Sequence, residues 1–241
     1  WPTTVCTARA QGDPELVKKA VQLLLTAEHP AINVGRLANY AGAAHEIKEF
    51  VNLTGIPVEG CNGTVGTHPV NNLGPTNGMV DVGLVLGKLQ TGIEGGMLFN
   101  PFPGAKLISV YPEPTDIGRC YPVELGIVGD VKLVMRQLIE EAKKVKFPDY
   151  TEWVELLKGS GEGTRYMFDT IADEAVTRMP MHPATAAKTV VEWVIGNKIN
   201  KDAIFAPDGA NNMYWYYMFA TFHGITNEYP HQAVLTGGNA H

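Results

Sequence analysis

The fold is decided by the stretch Val80-Asp81-Val82-Gly83-Leu84-Val85-Leu86-Gly87-Lys88. It is a run of Val, Leu and Gly with one charge near its start, and apolar and polar residues do not alternate along it. A strand that is covered on both of its faces, as in a parallel sheet, has this pattern. We therefore expect a central strand with parallel neighbours.

Other segments of the same character lie on either side of this stretch. Residues 31–35, 106–111 and 123–129 are short apolar runs, and Ile56-Pro57-Val58 predicts a further short strand, in which Pro57 lacks an amide donor. Helical patterns lie between or beside several of these runs. The order predicts an α/β fold, with a parallel six-stranded Rossmann-like sheet, helices on both faces and right-handed crossovers.

Three helix boundaries in this region carry local signals. Asp13 followed by Pro14 is typical of a helix start, and Gly55 of a helix end, because Gly adopts a left-handed conformation at low cost. Gly129-Asp130 precedes apolar residues at helical spacing, which predicts that Asp130 caps a helix. Residues 35–40 are expected to form a turn.

Composition divides the chain into three parts. Residues 1–145 are predicted to form a central nucleotide-binding-like domain, in which residues 59–77 form a long loop rich in Gly, Asn, Thr and Pro. Residues 146–181 are predicted to be a surface linker, because they contain Pro148 and the Gly-rich stretch 159–163. Residues 182–241 are predicted to begin a second α/β domain.

The charge balance limits the kinds of partner. The 241 residues include 19 Lys and Arg and 25 Asp and Glu, so the net charge is −6, and the charges are interspersed. This argues against nucleic acid or an anionic membrane surface as a main partner. No apolar run approaches the roughly 20 residues that span a bilayer. We expect a soluble, cytoplasmic protein with a small-molecule substrate.

Cysteine and histidine do not indicate a metal site. Cys6, Cys61 and Cys120 are an odd number at wide spacings, which favours separate thiols over a disulfide framework or a zinc cluster. The seven His residues show no H-x-x-x-H spacing. We therefore expect no histidine metal site.

Three strand ends are candidate nucleotide contacts. In each, a Gly is followed by a charged residue, at Gly35-Arg36, Gly87-Lys88 and Gly129-Asp130. Gly allows close approach to the backbone, and a helix N-terminus offers unpaired amides to phosphate. The alternative is that these Gly residues only make tight turns, and no complete GxGxxG motif is present.

A second candidate site follows a strand predicted at residues 203–206. It is the segment Asp208-Gly209-Ala210-Asn211-Asn212, after which an aromatic-rich helix is predicted at residues 213–222. Asn amides and backbone donors at a helix start suit a diphosphate. The alternative is an ordinary turn, since Asp, Gly and Asn are common turn residues. The aromatic helix is typical of packing at a domain or subunit interface.

Six stretches between residues 13 and 138 form a pattern in their order and spacing. They are Leu24-Leu25 with Ala27 and Pro30 before Ile32-Asn33-Val34-Gly35, Gly55-Ile56-Pro57-Val58, His68-Pro69 with Gly74, residues 80–87, residues 105–110 with Pro114 and Ile117-Gly118, and Gly129-Asp130-Val131. This pattern resembles the central domain of the thiamine diphosphate-dependent decarboxylase and acetolactate synthase family. The remainder resembles the beginning of that family's cofactor-binding domain, most of all in the 2-hydroxyacyl-CoA lyase and oxalyl-CoA decarboxylase branch.

The resemblance implies a function and its cofactors. It implies a portion of a lyase, decarboxylase or carboligase that acts on 2-oxo acids or 2-hydroxyacyl thioesters. Thiamine diphosphate and magnesium would serve the complete protein, with residues 208–212 at the diphosphate, and relatives hold FAD or the ADP part of a CoA ester at the strand ends. It also implies a homo-oligomer or a companion subunit. The alternative is a non-catalytic nucleotide-binding or structural subunit with the same central fold.

Departures from the family pattern limit what is expected of this chain alone. The family's catalytic Glu lies in a domain that would precede Trp1, and its Gly-Asp-Gly magnesium motif would follow His241. Catalytic residues therefore stay unassigned, and we expect no turnover from this chain alone. Lys88 stands where relatives often carry Arg, and Tyr111 where they often carry an acid. FAD is therefore not expected, and the ADP part of CoA is favoured if a nucleotide binds.

Overall fold

The computed structural model describes residues 9–59, 78–88, 100–197, 215–216 and 218–219. The chain divides into two units, one made of residues 1–56 and 77–150 and the other of residues 57–76 and 151–241. The first unit contains the strand ends that the sequence predicts as a nucleotide site. The domain boundaries predicted at residues 145 and 181 stay predictions.

A parallel sheet organises the fold. It contains β1 (Pro30–Val34), β2 (Val58–Glu59), β3 (Val82–Leu86), β4 (Lys106–Tyr111) and β5 (Leu125–Val128). The strand order is β2-β1-β3-β4-β5, and the pairs β1–β3, β3–β4 and β4–β5 are parallel. All five residues of β3 are buried. The central position predicted for this stretch is confirmed.

The number of strands differs from the prediction. The sequence predicts six strands, whereas the residues that the structure describes hold five in this sheet. The quoted stretch and the four other apolar runs each form one strand of the sheet. The run around Pro57 forms its strand only from Val58 onward, because Pro57 has no amide to donate to a neighbour.

The predicted helix boundaries of the first unit are confirmed. The helices are α1 (Pro14–Leu25), α2 (Arg36–Tyr40), α3 (Ala44–Thr54) and α4 (Val131–Ala142). Asp13 accepts hydrogen bonds from the first turn of α1, Asp130 accepts one from Leu133 N, and Gly55 ends α3 with a φ of 71°. The short helix α2 occupies the segment predicted as a turn, and its five residues are too few to show a helical period.

The described helices of the first unit lie on one face of the sheet. α4 contacts both α1 and α3. A Cβ atom at Gly12, just before α1, would lie 2.6 Å from Ile127 of β5 and 3.1 Å from Val134 of α4, so Ile127 points to the helical layer. Successive strand residues point to opposite faces, so Gly126 points to the other one.

Loops cover this second face among the residues that the structure describes. A Cβ atom at Gly126 would lie 2.7 Å from Ile117, and one at Gly83 would lie 2.3 Å from the ring of Phe102. The connection from β4 to β5 contains only a 3-10 turn, Pro114–Asp116. Helices on both faces therefore stay a prediction, while the parallel α/β sheet is established.

Asp81 ties the start of β3 to the loop between α1 and β1. Its carboxylate accepts hydrogen bonds from the backbone N–H groups of Glu28 at 2.7 Å, His29 at 3.0 Å and Val82 at 2.8 Å. Replacing Asp81 with Asn exchanges one accepting oxygen for a donor that faces a backbone donor. We expect the free energy of unfolding, measured in urea, to fall by about 1–3 kcal/mol.

Tyr150 provides a substitution near Asp81 that is expected to cost less stability. Its hydroxyl lies 3.3 Å from the carbonyl oxygens of Leu24 and Ala27, and burial together with the charge of Asp81 raises its pKa to about 12. Tyr150→Phe removes only this neutral donor and should cost roughly 1 kcal/mol. An Asp81→Asn variant no less stable than Tyr150→Phe would contradict the role given to the carboxylate.

The second unit contains two long helices, α5 (Thr151–Glu174) and α6 (Pro183–Gly196). Lys188 of α6 lies 3.2 Å from Asp169 and 2.8 Å from Asp173 of α5. The ring of Phe168 lies 5.2 Å from that of Trp215. The buried apolar cluster of this unit consists of Phe168, Ala172, Ala184, Ala187, Val191, Val194 and Phe219.

The helix α5 runs through the Gly-rich stretch 159–163, which the sequence predicts as flexible linker. Glycine disfavours a helix by about 1 kcal/mol per residue, so local propensity argues against it. A stripe of buried residues nevertheless recurs at helical spacing along α5, and tertiary packing supplies most helical stability in proteins. The buried residues are Trp153, Leu157, Gly161, Phe168 and Ala172.

Within the part of the chain that the structure describes, every helix is too short or too polar to cross a bilayer.

Candidate functional site

The strand order points to one position at the carboxyl ends of the strands. In open α/β sheets of order 2-1-3-4-5, ligands bind outside the carboxyl ends of β1 and β3, where the order reverses. The structure places Gly35 directly after β1 and Gly87 directly after β3, and Gly35 N donates to the Leu86 carbonyl at 2.7 Å. Gly35 and Gly87 are therefore neighbours at the carboxyl ends of β1 and β3. Arg36 and Lys88 follow them in the chain.

Gly35 is packed against the chain that leaves β3. A Cβ atom at position 35 would lie 2.3 Å from Lys88 Cα and 2.4 Å from the Gly87 carbonyl oxygen. Both are backbone atoms, which cannot turn away as a side chain can. The absence of a side chain at Gly35 thus serves the contact between two strand ends.

Gly87 is covered by the short helix that follows β1. Its φ of 63° is a left-handed conformation that favours Gly, and a Cβ atom there would lie 2.9 Å from Ala38 N and from Leu37 Cβ. Val131 at the start of α4 lies 3.0 Å from the same position. The space that the glycine leaves is filled by the protein's own helices.

The backbone amides at these turns are also engaged. Leu37 N donates to the Gly87 carbonyl at 3.1 Å, and Gly87 N donates to the Val110 carbonyl at 2.8 Å. At the end of β5, Gly129 N donates to the Tyr111 carbonyl at 3.2 Å. These amides are therefore not available to a phosphate, and the tight-turn interpretation explains Gly35, Gly87 and Gly129.

Asp130 acts as the N-terminal cap of α4. Its Oδ1 accepts a hydrogen bond from Leu133 N at 3.1 Å, and its own N–H donates to the Ala10 carbonyl at 2.9 Å. Arg9 lies 3.7 Å from Asp130 Oδ2 and also donates to the Ala41 carbonyl at 3.1 Å. A capped and paired carboxylate at this helix start disfavours a second anion there. The predicted role of Asp130 in cofactor binding stays a prediction.

The end of β4 carries a charged pair that the sequence alone does not single out. Asp116 accepts a hydrogen bond from Arg119 Nη1 at 3.1 Å. Burial, and then the negative charge of Asp116, raise the pKa of Tyr111 at the strand end. The sequence signal for this pair is weak. A Pro-rich segment follows Tyr111 and ends the strand, and Asp116 and Arg119 come after it, three residues apart.

Two polar side chains lie within the buried face of the sheet. Asn33 of β1 and Ser109 of β4 both lie in register with Val85 of β3, one on each side. Asn33 is 3% exposed, and its Oδ1 has no hydrogen-bond partner among the described residues. Both residues stand in apolar runs, so periodicity marks them only as members of strands.

The predicted diphosphate segment lies outside the described residues. This applies to Asp208, Gly209, Ala210, Asn211 and Asn212, so their assignment stays a prediction. Among the residues that are described, no group of three or more His, Cys, Asp and Glu side chains is arranged to hold a metal ion.

Similarity to known proteins extends over nearly the whole chain, although no family model matches it. It is 25% identical to a probable acetolactate synthase large subunit of Methanococcus aeolicus, over 98% of this chain and 41% of that protein. It is 29% identical to the acetolactate synthase large subunit of Corynebacterium glutamicum, over 86% of this chain and 34% of that protein. Identity to the oxalyl-CoA decarboxylase of Escherichia coli is 24%, over 83% of this chain and 36% of that protein.

A solved structure shares the fold. The crystal structure of benzoylformate decarboxylase from Polynucleobacter necessarius matches with a TM-score of 0.60 and 14% identity, over 97% of this chain and 42% of that chain. The present chain thus spans 34–41% of the length of the three relatives named above.

Proposed function

Since the chain belongs to the thiamine diphosphate-dependent decarboxylase and acetolactate synthase family, we propose that it is a portion of a lyase or carboligase acting on 2-oxo acids or 2-hydroxyacyl thioesters. The observation that carries the proposal is the similarity to an acetolactate synthase large subunit over 98% of this chain, which includes residues 208–212. The enzyme is proposed to be cytoplasmic, and to be a homo-oligomer or to have a companion subunit that supplies the remaining domains.

The cofactor would carry the chemistry and the protein its placement. When bound, thiamine diphosphate would supply a nucleophilic carbon for a substrate carbonyl and an acceptor for the negative charge left on the substrate. We assign contact with its diphosphate to residues 208–212, where Asn211 and Asn212 offer amide donors. Magnesium would have to be held mainly by residues beyond those described.

A nucleotide at the first unit is a further part of the proposal. Gly35, Arg36, Gly87, Lys88 and Asp130 are the residues that the sequence singles out at the strand ends. Because the N–H groups of Gly35, Gly87 and Asp130 are hydrogen-bonded within the protein, we assign these backbone groups to shaping the strand ends and leave phosphate contacts to neighbouring side chains. The ADP part of CoA is favoured over FAD, and one relative is named as an oxalyl-CoA decarboxylase.

A second candidate function is a non-catalytic structural subunit. It is favoured by the packing at Gly35 and Gly87, where atoms of the protein itself fill the space beside each glycine. Strand ends that are packed in this way do not require a ligand. The two functions differ in cofactor binding by the polypeptide that contains this chain.

Thiamine diphosphate titration tests the proposal. With magnesium present, this 241-residue chain should bind no tighter than about millimolar, because one helix start and two amides contribute only a few kcal/mol. A longer polypeptide that carries the chain with the remaining domains should bind in the micromolar range and release CO₂ from pyruvate or oxalyl-CoA. Asn211→Ala should weaken that binding at least tenfold.

Two calorimetric results would contradict this proposal. Micromolar binding by the 241-residue chain alone would mean that a complete site lies within it. No binding or turnover by the longer polypeptide would favour the structural subunit. Glu155→Ala, on the exposed surface of α5, serves as the control variant for Asn211→Ala.

A further inference from the structure

The segment between α5 and α6 exposes a group of apolar side chains. Val176, Met179 and Met181 are 65%, 88% and 63% exposed, and all three lie in residues 176–181. Single exposed apolar side chains are normal on a protein surface, whereas several together indicate a surface with a role of its own. Two of the three carry a thioether sulfur, which gives this segment a chemistry that Val, Leu or Ile would not.

Hydrogen bonds hold the segment at both of its ends. After α5, Arg178 N donates to the Ala175 carbonyl at 3.0 Å. At the start of α6, His182 Nδ1 accepts from Ala184 N at 3.2 Å and caps the helix. The two methionines lie between these contacts, so their exposure belongs to a stretch of chain that is fixed on either side.

Neither methionine takes part in the apolar packing of the second unit. Among the described residues, both are absent from its buried cluster and from the partly buried residues that pack against that cluster. Met218 does pack against the cluster, and Met135 in the first unit is fully buried. A change of polarity at Met179 or Met181 therefore leaves the described core of this unit intact.

An exposed thioether reacts with peroxides. Hydrogen peroxide transfers one oxygen atom to the sulfur: the O–O bond breaks, an S–O bond forms and water leaves, so that the sulfur loses two electrons and the peroxide gains them. Methionine sulfoxide reductases reverse the step, in which two thiols become a disulfide and the oxygen leaves as water. Because the oxidant must reach the sulfur, exposure decides which methionine reacts first.

We propose that Met179 and Met181 form a reversible oxidation site, with hydrogen peroxide as the oxidant. The sulfoxide is polar where the thioether is apolar, so oxidation changes the surface between α5 and α6 from apolar to polar while both helices stay folded. The inference goes beyond the proposed function and does not depend on thiamine diphosphate or on a nucleotide.

Timed treatment of the 241-residue chain with hydrogen peroxide, followed by peptide mass spectrometry, tests the site. Oxygen should be added first at Met179 and Met181 and more slowly at Met167, which is 50% exposed. Met135, at 0% exposure, should react at least about tenfold more slowly than Met179. Oxidation of the pair should shift the midpoint of thermal unfolding by no more than about 2 °C, and the reductases should restore the original masses.

A double variant, Met179→Leu with Met181→Leu, removes both sulfurs and keeps two apolar side chains of similar size. It should lose the fastest phase of oxygen uptake. Met167→Leu is the matched control, since Met167 is also exposed and lies in α5, and it should keep that phase. Met135 or Met167 reacting as fast as the pair, a fall of more than about 5 °C in the unfolding midpoint when only the pair is oxidised, or sulfoxides that the reductases leave unchanged would overturn the inference.

Discussion

Gly35→Ala is expected to destabilise the first unit by at least about 3 kcal/mol. The new Cβ atom would lie 2.3 Å from Lys88 Cα, 2.4 Å from Lys88 N and 2.4 Å from the Gly87 carbonyl oxygen. All three are backbone atoms, so no change of rotamer relieves the overlap, and the ends of β1 and β3 must separate. The hydrogen bond from Gly35 N to the Leu86 carbonyl would be strained by the same movement.

Urea denaturation followed by circular dichroism measures this loss, and Gly118→Ala is the control. Gly118 belongs to the same unit and has a φ of 76°, but no heavy atom of the described residues lies within 4 Å of the position that its Cβ would take. Its replacement should cost only the left-handed strain, about 1–2 kcal/mol. Equal losses in the two variants would mean that the strand ends yield easily and that Gly35 is not required for their contact.

The features that could be predicted from the sequence are those that depend on neighbouring residues. The Asp13 and Asp130 caps and the Gly55 helix end are each formed within one helical turn, and all three are confirmed. The central strand was also predictable, because a buried parallel strand needs a continuous apolar run. The helix α5 was not, since its glycines oppose it locally and only the burial of one face favours it.

The candidate site was predictable only in part. Sequence placed Gly35 and Gly87 at strand ends, but what fills the space beside a glycine depends on the packing of distant segments, here Lys88 and α2. The pair Asp116 and Arg119 depends on a 3-10 turn, which is too short to produce a hydrophobic period in the sequence. In the sequence Asn33 is one more member of an apolar strand, and the lack of a partner for its Oδ1 within the described part of the chain follows from burial by the assembled fold.

Val85→Asp should have an effect of similar size through electrostatics. Val85 is fully buried in the central strand, in register with Asn33 on one side and Ser109 on the other. A carboxylate placed there loses its hydration and meets no cation among the described residues in register with it. We expect the free energy of unfolding to fall by at least about 4 kcal/mol at neutral pH, or the variant to be insoluble.

Val128→Asp is the matched control for this substitution. Val128 ends β5 and is 40% exposed, so an Asp there keeps contact with water and should cost within about 1 kcal/mol. A Val85→Asp variant as stable as Val128→Asp at pH 7 would contradict the burial of β3.

The pH dependence of the stability of Val85→Asp distinguishes an electrostatic from a steric cause of the destabilisation. Burial without a cation raises the pKa of the introduced carboxyl group above its value in the unfolded chain. A raised folded-state pKa makes the variant relatively more stable at low pH, and this advantage is lost as pH rises through the folded-state pKa. The protonated form can also donate to Asn33 Oδ1, which has no partner among the residues that the structure describes. The difference from the unchanged protein in urea should therefore be smaller at about pH 4 than at pH 7, whereas a purely steric defect would leave it the same at both.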